Sequence, residues 1–253
     1  MLIDTHCHLD AAEFAADRDA VHAAALAAGV EKILVPAVAV DGFATTKAVV
    51  GRYLGCAAAY GIHPLYVMPA SENDLGVLRD WLMQEKPVAV GEIGLDHFVA
   101  DVDPARQEYF FVEQLKLARD FDLPVLLHVR RAVDPVLKQL RRIGVRGGIA
   151  HAFNGSRQQA DAFIKLGFAL GFGGAMTFSG STRIRELART LPLDAIVLET
   201  DAPDIPPAWL NGGRNAPAEL SCIADVLADL RGLTRAGVSA ATAANARRIL
   251  PGL

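Results

Sequence analysis

A chain of 253 residues is long for one average domain and short for two, and it is long enough to bury a substantial core. Hydrophobic residues make up 52% and charged residues 21%, which excludes a disordered chain, and no stretch approaches the roughly 18 uninterrupted apolar residues of a membrane span. With 25 Lys and Arg against 29 Asp and Glu the net charge is −4, so the surface as a whole does not attract nucleic-acid backbones, and such a substrate would need a local patch.

The segment Met1-Leu-Ile-Asp4 lacks the basic stretch and long apolar run of a secretory leader. Cys7, Cys56 and Cys222 are odd in number, scattered and without C-x-x-C spacing, so they read as reduced, mostly buried thiols. Together these features predict a cytoplasmic protein with no membrane partner, acting as a monomer or a small homo-oligomer.

The first strand is predicted over residues 2–8. The helix after it, over 11–28, opens on Asp10 and Glu13 at capping-box spacing and stops at Gly29. Strands at 32–37, 56–62, 88–93 and 125–129 then alternate with helices at 42–53, 74–85, 104–122 and 133–143. Strands at 148–152, 167–172 and 195–201 continue the rhythm, with helices at 156–166 and 181–190 between them. A Pro- and Gly-rich loop over 202–217 leads into two further helices, 217–231 and 239–250. Eight strand–helix units in about 250 residues are the signature of an α/β fold of the closed (β/α)8 TIM-barrel type, here one domain over 1–253 with extra C-terminal helices. An open doubly wound sheet would carry a Gly-rich loop after its first strand, where this chain has His6-Cys7-His8.

Residues two apart on a strand share a face, so His6 and His8 converge while Cys7 turns away toward the helices. His128 closes the run Pro124-Val-Leu-Leu-His, His151 closes Gly148-Ile-Ala-His, and Asp201 closes Ile196-Val-Leu-Glu-Thr-Asp. Glu92 lies within Val88-Ala-Val-Gly-Glu-Ile-Gly, with Gly91 and Gly94 leaving space beside it. Each of these alone could be a helix cap or a buried ion-pair partner. Gathered at the C-terminal rim of a barrel, four imidazoles and two carboxylates would be costly without a cation, and the all-nitrogen-and-oxygen set suits Zn, Mn, Co or Mg. Six candidate ligands exceed the needs of one catalytic ion, so two divalent metal ions per chain fit better. Hydrolysis by a metal-activated water follows, with Asp201 available to take the water's proton. Glu199, two residues below Asp201, either orients a ligand or pairs with a buried cation.

His63 in Gly61-Ile-His-Pro, Arg130 beside His128, and the Asn154-Gly-Ser-Arg157 turn belong at the same mouth and could bind an anionic substrate. The structural alternatives are a bridge from Arg130 to Asp134 and a simple cap in the Asn154 turn.

Asp4-Thr-His-Cys-His-Leu, Gly61-Ile-His-Pro, Gly91-Glu-Ile-Gly-Leu-Asp, Pro124-Val-Leu-Leu-His-Val-Arg, His151-Ala-Phe-Asn-Gly-Ser, Glu199-Thr-Asp-Ala-Pro and Ala244-Asn-Ala-Arg-Arg occur in this order along the chain. On these stretches the sequence resembles the TatD-type metal-dependent hydrolases, a branch of the amidohydrolase-like barrels. The resemblance implies that His6, His8, Glu92 and Asp201 surround one metal and that Glu92, His128 and His151 hold a second. It further implies phosphodiester hydrolysis, with single-stranded or frayed DNA as substrate, and it makes His63 and Arg130 substrate-facing. Asp204-Ile205 and His97-Phe98 depart from the family's usual residues near the mouth. The alternative reading keeps the metal barrel but changes the bond, to a small ester, a lactone, a phosphoester or an aminoacyl-tRNA ester.

Overall fold

The computed structural model describes all 253 residues. Eight strands form one parallel sheet in sequence order: β1 Leu2–Asp4, β2 Val30–Pro36, β3 Cys56–Tyr60, β4 Ala89–Asp96, β5 Val125–Arg130, β6 Gly148–Ala150, β7 Phe168–Phe172 and β8 Ile196–Leu198. Seven helices cross between them: α1 Arg18–Ala27, α2 Phe43–Arg52, α3 Glu72–Glu85, α4 Pro104–Asp120, α5 Val133–Ile143, α6 Arg157–Lys165 and α7 Thr182–Thr190. Two more, α8 Leu220–Arg231 and α9 Arg235–Ile249, follow β8. The architecture is a (β/α)8 TIM barrel. No helix is long and apolar enough to cross a membrane.

Each strand pairs with the next from β1 to β8, and polar contacts close the remaining gap. The Thr5 amide donates to the Leu198 carbonyl at 3.1 Å and the Asp201 amide to the His6 carbonyl at 2.8 Å. Inside this seam the buried Asp4 carboxylate accepts from the Thr200 hydroxyl at 2.6 Å and the Thr200 amide at 2.9 Å.

Each strand sends one side chain to a common layer inside the barrel: Ile3, Leu34, Ala59, Ala89, Leu126, Ile149, Ala169 and Val197. Ala243, Ala246 and Ile249 of α9 pack against that layer. Asn245 of α9 donates to the carbonyls of Leu193 and Ile196 at 2.7 and 2.8 Å, which gives the closing Ala244-Asn-Ala-Arg-Arg stretch a structural role. The larger core, which includes Phe111, Leu115 and Phe163, fills the space between sheet and helices.

The region predicted as one helix over 11–28 is broken. A short 3-10 turn covers Ala12–Phe14, and α1 starts only at Arg18. The Asp10–Glu13 capping box does not form, because the Asp10 carboxylate accepts instead from the Thr46 hydroxyl of α2. Arg18 fastens the break by donating to the carbonyls of Leu9, Asp10 and Ala11. Gly29 does follow the helix end, with φ of 85°. Cys7 is buried and Cys56 half-buried, but Cys222 is exposed on α8, which corrects the expectation that the thiols are mostly buried.

Candidate metal centre

From the interior layer, a step of two residues toward the C-terminal end of a strand keeps a side chain pointing inward. Leu126 leads this way to His128, Ile149 to His151, and Val197 to Glu199 and then Asp201. The sequence-predicted donors therefore meet above the packed layer. The first pair arrives differently, since the β1 ladder ends at Asp4. Beyond it the chain stays extended between its neighbours, with the Cys7 amide on the Leu34 carbonyl and the His8 amide on the Ala202 carbonyl. His6 and His8 thus share one side, and Cys7 joins the core between sheet and helices. Glu92 enters from β4 where its pairing with β5 is interrupted between Val90 and Ile93.

Glu92 is the hub. Its Oε2 lies 3.1 Å from His6 Nε2 and 3.6 Å from His8 Nε2, and its Oε1 lies 3.0 Å from His128 Nδ1 and 2.9 Å from His151 Nε2. Asp201 Oδ1 completes the first side, 3.5 Å from His6 Nε2 and 3.6 Å from His8 Nε2. The other five predicted ligands therefore gather around the Glu92 carboxylate, whose two oxygens face two different donor sets.

The tautomers follow from fixed partners. His8 Nδ1 sits 3.2 Å from the Pro36 carbonyl, which can only accept, so the proton of the neutral ring is on Nδ1 and a lone pair on Nε2 points inward. That lone pair faces His6 Nε2 at 3.3 Å. His63 is the reverse case. Its Nδ1 accepts the Leu65 amide at 3.1 Å, so Nε2 carries the proton and points at His128 Nδ1, 3.1 Å away, and Glu92 Oε1, 3.5 Å away. His63, Glu92 and His128 also converge closely enough to suggest a metal trio, yet His63 presents a proton there and not a lone pair.

Two further carboxylates lie against these imidazoles, and both have distant partners. Asp96 Oδ2 lies 3.0 Å from His128 Nε2 and so fixes which nitrogen of that ring faces Glu92. Glu199 is buried below His151, with Oε1 3.8 Å from Nδ1 and bonded by the Ala152 amide. Gly171 of β7 makes room for it, since a Cβ there would lie 2.1 Å from Glu199 Oε2. Asp96 was absent from the residues singled out by sequence, although it closes the Gly-Leu-Asp stretch. Glu199 has no arginine or lysine partner, and the imidazole of His151 is the group it faces.

Electrostatics distribute the protons unevenly. Burial pushes Glu92 upward, but the imidazoles of His151, His6 and His63 outweigh it and hold the carboxyl well below the ordinary range. Burial lowers His151, yet Glu92 and the nearby acids carry it up to about 10. Burial, with the charge on His151, brings His6 down to about 3. Burial likewise takes His63 down to about 3. The bare cluster thus neutralises Glu92 with a proton on His151. It remains poorly satisfied, because His6 Nδ1, His151 Nδ1 and Glu199 Oε2 are buried without hydrogen-bond partners. Facing lone pairs, a central anion and orphaned imidazole nitrogens are what a set of nitrogen and oxygen ligands for divalent cations presents. The residues fit such an ion.

The remaining predicted residues occupy the rim. Arg130 does not bridge to Asp134, whose Oδ1 accepts from Gln159 at 3.0 Å; its guanidinium carbon lies 3.8 Å from the Phe98 ring centroid. Asn154 is exposed and its Oδ1 accepts from Arg183 at 3.1 and 2.7 Å. The turn after it ends in a capping box between Ser156 and Gln159, which occupies the amides of those two residues. Asp204 donates its amide to the Asp201 carbonyl, and its charge contributes, after burial, to raising the Asp201 carboxyl.

The chain is similar to known proteins along its whole length. A family described as TatD related DNase matches residues 3–251. An uncharacterized metal-dependent hydrolase of Escherichia coli K12, YjjV, is 42% identical over 90% of each chain. The crystal structure of a YjjV protein, a TatD homologue from Escherichia coli K12, superposes with a TM-score of 0.95 at 40% identity, covering 99% of this chain and 98% of the other. The 3'-5' ssDNA/RNA exonuclease TatD of Cronobacter sakazakii is 34% identical over 98% of this chain and 97% of its own.

Proposed function

The chain belongs to the TatD family and is a metal-dependent hydrolase, and from that premise we propose that it cleaves phosphodiester bonds of single-stranded DNA. The observation that carries the mechanism is Glu92, with one oxygen turned to His6 and His8 and the other to His128 and His151. His6, His8 and Asp201 would hold one divalent cation and His128 and His151 a second, with Glu92 shared. Bound there, the pair supplies Lewis-acid polarisation and a lower pKa for water.

The chain's own residues do the rest. Asp201 holds its carboxyl at the mouth side of His6 and His8 and takes the proton of the attacking water. His63, neutral and fixed with its proton on Nε2, donates a hydrogen bond into the site without gaining charge. Asp96 keeps His128 turned so that Nδ1 faces Glu92. The nucleic-acid substrate is supported by the similarity to the Cronobacter exonuclease and by unpaired arginines at the rim.

The test is an oligonucleotide assay with Mg²⁺, Mn²⁺ or Zn²⁺ restored to stripped protein. Metal-dependent shortening of a single strand is expected, with Asp201→Asn slowing it by at least about 100-fold while the fold is kept. Turnover that survives full metal removal, or activity confined to lactones and aminoacyl esters, would count against the proposal.

A further inference from the structure

Phe98 stands 47% exposed on the loop between β4 and α4. Two guanidinium groups lie against it, Arg130 at 3.8 Å and Arg131 at 4.6 Å from carbon to ring centroid. Neighbouring residues on an extended strand point to opposite sides, so both can reach one ring only if the chain turns between them. It does: Arg131 is left-handed, with φ of 54°, a conformation that a non-glycine residue holds at some cost.

Arg52, Arg157, Arg189 and Arg214 each pair with a carboxylate. Arg130 and Arg131 pair with none, although the chain carries net negative charge. Stacking on a ring covers the flat face of a guanidinium and leaves the N–H donors along its edge directed outward. The ring is also tied to the metal centre. Asp96 Oδ1 accepts the amides of Phe98 at 2.8 Å and Val99 at 3.2 Å, while Asp96 Oδ2 meets His128 Nε2. The His97 amide donates to the Arg130 carbonyl at 2.9 Å, fastening the loop to the end of β5.

We propose that Phe98, Arg130 and Arg131 form a clamp for the backbone phosphates of single-stranded DNA outside the cleaved bond. The two arginines supply the phosphate donors, and Phe98 is a positioning residue that holds both guanidiniums edge-outward. The clamp rests on the nucleic-acid reading above and adds to it the residues that grip the strand away from the metals.

The measurement is fluorescence anisotropy of a short, nuclease-resistant phosphorothioate oligothymidylate bound to the metal-loaded protein across a series of KCl concentrations. Each phosphate contact with a single strand contributes about 0.7 to the slope of log affinity against log salt. Arg131→Asn, which tolerates the left-handed backbone, and Arg130→Gln, at an exposed position, should each lower the slope by about 0.7 and weaken binding several-fold. Phe98→Leu should weaken binding with the wild-type slope, and Phe98→Trp should restore it. Unchanged slopes in both arginine variants, in an enzyme that still shortens the unmodified strand, overturn the clamp and leave the nuclease reading standing. A wild-type enzyme that hydrolyses a small ester but neither binds nor cleaves the strand overturns the nuclease reading, and the clamp with it.

Discussion

Glu199 is buried to 1% exposure. Burial pushes its carboxyl up to about 8, against the opposing charge of His151 and the Ala152 amide. A carboxyl buried with one oxygen lacking a hydrogen-bond partner is costly. Its position under His151 Nδ1 fits that of a group that keeps the ring's other nitrogen turned toward a ligand site. Gly171 tests this without touching a ligand. An alanine there brings Cβ to 2.1 Å of Glu199 Oε2, so the carboxylate must leave its present position. Gly171→Ala is expected to weaken metal affinity by about 10- to 100-fold, as is Glu199→Gln, in titrations of stripped protein followed by calorimetry. Metal affinity equal to wild type in both variants would show that Glu199 does not orient His151.

At the scale of the elements, the barrel is held shut where its first and last strands meet. β1 and β8 share no ladder, and the Asp4–Thr200 pair takes its place. Burial pushes the Asp4 carboxyl up to about 7 even though Thr200 and the His6 amide oppose the shift. Thr200→Val keeps the shape but removes the hydroxyl that donates to Asp4 and accepts the Ala202 amide. It should cost about 1 to 3 kcal/mol in urea unfolding, and activity should fall with it, because the same seam sets Asp201 and His6. Loss well below that range would mean the seam is held by the backbone bonds alone.

The strands also explain which parts of the site could be read in advance. His128, His151 and Glu199 stand two residues beyond Leu126, Ile149 and Val197, so an apolar run closing on a polar residue marks each of them. Glu92 lies where the β4 ladder breaks, and alternation alone does not turn it inward. Asp96 and Asp4 find their partners 32 and 196 residues away, and nothing local in the sequence announces such pairs. The same limit undid the Asp10 cap: the spacing to Glu13 was right, but Thr46 on α2 offered the better partner. Phe98 was visible only as a departure from a family pattern, because its meaning lies in the two arginines that fold onto it from β5 and the residue after it.

For the molecule as a whole, a proton and a cation compete for the same centre. In the metal-free chain burial opposes a charged His151, but Glu92 carries its pKa from 6.5 up to about 10. A folded pKa above the unfolded one means that the His151 proton adds stability that is fully present below pH 6.5 and is lost as pH rises through about 10. A divalent cation must displace that proton, so its binding releases protons and strengthens as pH rises. The metal-free and metal-loaded proteins should therefore differ little in acid and increasingly in alkali. Metal at about 100 times its dissociation constant contributes about 2.7 kcal/mol, or about 5 to 10 °C in a chain of this size. Thermal unfolding with and without chelator, at a series of pH values between neutrality and the His151 titration, should show the gap between the two midpoints widening with pH. A gap that narrows as pH rises would mean that the cation does not take the place of the His151 proton, and Glu92 would then have to be neutralised by something other than the ions assigned to it.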